Sequence, residues 1–61
     1  MQTYTVRNVY GINGNTTHRS LRAAAVESRK REGDGWIVTD NAGNQVDFVD
    51  GKEIVIRYAN D

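Results

Sequence analysis

Cysteine is absent from these 61 residues, histidine occurs once, and no apolar run is long. Without cysteine there is no disulfide, no thiolate metal ligand and no cysteine nucleophile. His18 alone cannot build a multi-histidine metal site. No stretch approaches the ~20 apolar residues of a membrane span, so no membrane association is expected. The opening MQTYTVRNVYG lacks the basic start and apolar run of a secretory signal, which makes a cytoplasmic location the expectation. Asn15-Thr16-Thr17 fits a glycosylation acceptor, but without a secretion signal it reads as loop.

Large size is also lacking. The chain 1–61 is expected to be a single domain, since one core of this size leaves nothing for a second. So short a chain buries only about 60% of its unfolded surface. With disulfides and metal set aside, a partner chain is the remaining source of extra stability.

What the sequence does have is charge, and it is unevenly placed. The net charge is zero, with eight basic and eight acidic residues. Arg7, Arg19, Arg22, Arg29, Lys30 and Arg31 stand in the first half against Glu27 alone. The second half carries Glu32, Asp34, Asp40, Asp47, Asp50, Glu53 and Asp61 against Lys52 and Arg57. If folding keeps the two sets apart, each pole sets up a local field able to steer a charged partner.

Tyr4-Thr5-Val6-Arg7-Asn8-Val9-Tyr10 is β-branched and aromatic and stops at Gly11, which predicts a first strand. Gly11 to Asn15 form a turn cluster, and Thr16-Thr17-His18 can return as a short second strand. Ser20 is a good N-cap for a helix over Leu21 to Glu32, with Gly33 placed to end it. Leu21, Ala24, Ala25 and Ser28 share one helix face, a small one that lets the helix lie close to a sheet. Three further strands follow: 36–39, 45–48 and 53–58. Three-residue loops with Gly43 and Gly51 at the bulge position predict that Val38 faces Val46, Trp36 faces Phe48 and Val46 faces Ile54. That register gathers Trp36, Val38, Val46, Phe48, Ile54, Ile56 and Tyr58 on one face. The opposite face carries Arg7, Val9, Ile37, Val55 and Arg57 with no helix left to cover it. The fold expected is α+β, β(β)αβββ: a mainly antiparallel twisted sheet with one helix packed on one face.

Catalytic chemistry is hard to find. His18 has no carboxylate spaced to orient it and reads as a solvated histidine before a helix. Asp47, Asp50 and Glu53 surround a tight turn, but their spacing misses the calcium loop and Asp50-Gly51 is what the turn itself requires. Gly11-Ile12-Asn13-Gly14 lacks both the Walker spacing and the dinucleotide glycine pattern. Neither an enzyme nor a cofactor is expected. The basic helix remains, with Arg22 and Arg29 on one side and Lys30 and Arg31 turning away from it; such a surface suits phosphates or an acidic protein face.

One resemblance adds to this reading. The run Tyr4-x-Val6-Arg7-x-Val9-x-x-Ile12-Asn13, leading to Ser20-Leu21, an alanine-rich basic helix and a strand meander, resembles small phage-encoded anti-CRISPR inhibitors. The resemblance implies a non-catalytic protein that occludes a surface of a nucleic-acid-guided complex. It brings no site residues with it, because members of that class share neither one fold nor one binding set.

The expectation is therefore a binding protein that occupies a partner's surface, that of a nucleic-acid-handling complex. Arg22, Arg29, Lys30 and Arg31 are the electrostatic candidates, and Arg7, Ile37, Val55 and Arg57 the sheet-face candidates. Two alternatives stand beside it: a direct DNA- or RNA-binding module using the basic helix, and a homodimeric structural module.

Overall fold

A computed structural model describes residues 2–56. The order of elements is β1 (Tyr4–Asn8), β2 (Thr16–His18), α1 (Leu21–Lys30), β3 (Trp36–Asp40), β4 (Gln45–Val49) and β5 (Lys52–Val55). The strands form one antiparallel sheet in the order β2-β1-β3-β4-β5. The helix lies on one face, so the α+β architecture is as expected.

Each element has a local cause. Ser20 is extended and its hydroxyl accepts from the Ala23 amide at 3.1 Å, satisfying an orphan donor at the start of α1. Leu21, Ala24 and Ala25 are buried beneath the helix. Because two of these are alanines, the sheet fills the core: Tyr4, Val6, Val38 and Val46 are buried, with Trp36 and Phe48 packed against them. Val6 is 0% exposed, and full burial of a valine is worth roughly 1.5–3 kcal/mol.

The hairpin between β3 and β4 follows its sequence. Gly43 has φ +88°, the Asp40 amide donates to the Asn44 carbonyl at 3.0 Å, and Val38 pairs with Val46. The ladder does not continue to the expected Trp36–Phe48 pair; the cross-strand pairs are Val38 with Val46 and Thr39 with Gln45. Instead the Phe48 amide donates to Asp47 Oδ1 at 2.7 Å, and Arg29 Nη2 donates to the Phe48 carbonyl at 3.4 Å.

The last hairpin corrects the expected register. Asp50 has φ +52° and Gly51 φ +77°, so the connection is a two-residue turn of the primed type rather than a three-residue loop. Asp-Gly suits that turn because it needs positive φ at both central residues, and its twist matches the flanking strands. Val46 therefore pairs with Val55, and Asp47 with Ile54. The shift of one residue exchanges the faces of β5. Val55, expected on the open face with Ile37, moves to the helix side, and Ile54 takes the open face. Ile56, whose amide bonds the Gln45 carbonyl, likewise leaves the expected core row. Arg57 and Tyr58 lie outside the described residues.

Two element ends also differ. α1 stops at Lys30, with Arg31 extended at φ −73° and ψ 139°, so Gly33, although at φ +87°, stands beyond the cap. The departure lets the Arg31 guanidinium sit over Trp36 and the Trp36 Nε1 donate to the Glu32 carbonyl. β1 stops at Asn8, where the chain turns.

Candidate functional site

Asn8 is the buried polar side chain of the sheet, 5% exposed. Its Nδ2 donates to the Asp34 carbonyl at 3.1 Å, and its Oδ1 accepts from the Tyr10 amide at 2.8 Å. The Gly11 amide returns to the Asn8 carbonyl, and the Val9 amide bonds the Gly35 carbonyl. This side-chain-to-backbone turn ends the strand and pins it to the segment entering β3. Gly35 has φ +90°, and a Cβ there would meet the Tyr10 ring at 2.6 Å. Glycine is thus required twice, by conformation and by the closeness of the ring.

The outcome is an apolar knuckle held from beneath and open above. Tyr10 is 74% exposed, with Val9 and Ile12 exposed beside it. Large apolar side chains gathered in one turn differ from the scattered exposed residues of an ordinary surface. The same end of the molecule holds Gly14, where a Cβ would lie 3.1 Å from Arg31 Nη1 and 3.3 Å from Trp36. The Arg31 guanidinium stands 4.9 Å from the Trp36 ring centroid, within cation–π range. Its Nε is 3.1 Å from Glu27 Oε2, an ion pair one turn apart, but out of line for a hydrogen bond.

The structure separates the expected basic residues into two kinds. Arg31 is drawn in by Trp36 and Glu27. Arg29 is held by Asp47 Oδ1 at 3.1 Å and by the Phe48 carbonyl. Arg22 and Lys30 stay exposed on the helix, and among the described residues no ion pair engages them. Arg7 and Ile37 share the open sheet face, as expected, and the structure makes them cross-strand partners, while Val55 is on the other side. The knuckle follows directly from that Arg7–Ile37 end.

Tyr10 is the residue that the expected strand passes over, since that strand runs on through Tyr10. The signal for its exposure is Asn8 three residues before Gly11, a pairing of turn formers that ends the strand earlier.

Among the described residues, Tyr4 and Asp40 have shifted acidities. The Tyr4 phenol is raised above its ordinary value by burial and then by the Glu53 carboxylate, to which it donates at 3.3 Å. Asp40 is held below the ordinary carboxylate range, first by the Asn44 backbone amide. Both are accounted for by the fold. An open cleft of about 210 Å³ lies where β3 and β4 part, between Trp36 and Val38 on one side and Val46 and Asp47 on the other. Among the described residues no group of three or more histidine, cysteine or acidic side chains could hold a metal, and no helix is long and apolar enough to cross a membrane. No protein-family model, curated protein or solved structure matches the chain.

Proposed function

We propose that this chain is a non-catalytic binding protein that acts by occupying a surface of a protein partner. The observation that carries this reading is the Tyr10 knuckle. A tyrosine 74% exposed, yet braced by Gly35 and by the Asn8 hydrogen bonds, is a preorganised aromatic anchor. Binding energy in protein interfaces concentrates in such residues, because a rigid aromatic loses little entropy when it enters a pocket. Val9 and Ile12 supply the apolar surround, and Arg7 and Ile37 continue the surface onto the sheet.

The partner class proposed is a nucleic-acid-handling protein complex, occluded in the manner of the inhibitors that the sequence resembles. The exposed cations Arg7, Arg22 and Lys30 support it, since they suit a partner whose own surface carries acidic groups or bound phosphate.

The test is capture from a lysate treated with nuclease, using the native chain and a Tyr10→Ala variant of unchanged circular dichroism. A discrete protein held by the native chain and lost with Tyr10→Ala is the expected result. Equal capture by both forms would remove the knuckle from the function.

A further inference from the structure

We propose that the solvent face of α1 is a contact surface for the phosphate backbone of nucleic acid, separate from the Tyr10 knuckle. Arg22, Val26 and Lys30 lie four residues apart in one exposed row along the helix. The two cations are eight residues apart, about 12 Å along the axis. Arg19, also exposed, precedes the N-cap.

Three observations favour a polyanion on this row. The first is sign. The helix contains a single acidic residue, Glu27, which is off the row and paired with Arg31. The second is the helix start. No acidic residue occupies the first turn, so the positive end of the helix dipole adds to Arg19 and Arg22 rather than being offset. The third is what the row lacks. Ala23 and Val26 lie between the cations, with no aromatic or amide side chain to anchor a folded protein surface. Such a row can offer charge and little else, which is the chemistry that dominates backbone contact with nucleic acid. Arg29 and Arg31 each have a carboxylate partner, Asp47 and Glu27, which offsets their charge. Because the whole chain is neutral, bulk charge supplies no attraction.

The test uses fluorescence anisotropy with a labelled DNA duplex of about twenty base pairs, over a series of salt concentrations. Two to three phosphate contacts predict a log–log slope between about −2 and −3. For three contacts, affinity falls about 40-fold between 50 and 200 mM salt. The double variant Arg22→Gln, Lys30→Gln should lower the slope to about −1, a loss of about 3.5-fold over the same range. Arg22→Lys with Lys30→Arg should keep the native slope, and circular dichroism checks that each variant folds. Tyr10→Ala should also keep it, so this inference and the knuckle can fail independently. Absence of binding at low salt, or a slope unmoved by the double variant, would overturn the proposal. Equal competition by polyglutamate at matched charge would overturn it in favour of an acidic protein surface.

Discussion

Asp40 and Tyr4 face each other across β1 and β3, and they shift in opposite directions. The Asp40 carboxylate accepts from the Asn44 and Ala42 amides, each at 2.9 Å, and from the Asn44 side chain at 3.3 Å. These bonds, the Asn44 backbone foremost, hold its pKa below the ordinary 3.8. The unfolded chain then binds the proton more readily than the folded one. The contribution to stability is complete above the ordinary carboxylate range and is lost as pH falls through the depressed value. Tyr4 is the reverse case, raised above 10.0 by burial first and by Glu53 second. Its contribution is complete below the ordinary phenol value and is lost as pH rises through the raised one. Urea midpoints measured against pH should therefore show an acid limb that Asp40→Asn flattens and an alkaline limb that Tyr4→Phe flattens. An acid limb of unchanged steepness in Asp40→Asn would contradict the assignment of the turn.

Among the elements, β5 is the one whose register has consequences for function. The two-residue turn makes Val49 and Lys52 the closing pair, and the Ile56 amide bonding Gln45 agrees with that count. Val46 and Val55 then form a non-hydrogen-bonded pair, with Cα atoms about 4.5 Å apart. Strong Hα–Hα Overhauser contacts are expected between Val46 and Val55 and between Phe48 and Glu53. A Val46–Ile54 contact in their place would restore the three-residue loop and return Ile54 to the helix side. The expected three-residue loop gathers more apolar residues on one face. Asp-Gly overrode it, since a turn that needs positive φ twice is cheapest where Asp and Gly supply it. Exposure of Ile54 and Val55 follows from the choice, and both remain open on the outer strand.

At the scale of the molecule, the core is small and rests on few side chains. Val6 and Val46 are the largest fully buried ones, and the helix contributes Leu21 and alanines. Total stability for a chain of this length is on the order of 3–9 kcal/mol. Val6→Ala removes two methyl groups from a site with no room to relax towards solvent and should cost about 2 kcal/mol. In so small a domain that corresponds to a melting temperature lower by roughly 8–16 °C. A thermal melt followed by far-ultraviolet circular dichroism measures it, and a shift below about 2 °C would mean that the core is not centred on β1.

Much of this protein is legible in its sequence because it is decided within a few residues. The Ser20 cap, the alanine face of α1, the short β2, the Gly43 hairpin and the alternation in β3 all follow from local periodicity, capping and turn chemistry. Exposure and charge neutralisation are decided elsewhere. Tyr10 stands clear because Asn8 bonds Asp34, 26 residues on, and because Gly35 leaves room for the ring. Arg29 is paired with Asp47, 18 residues on, while among the described residues no ion pair engages Arg22 or Lys30. These outcomes depend on which distant segment comes to lie against a residue, a matter of tertiary packing on which the local pattern is silent.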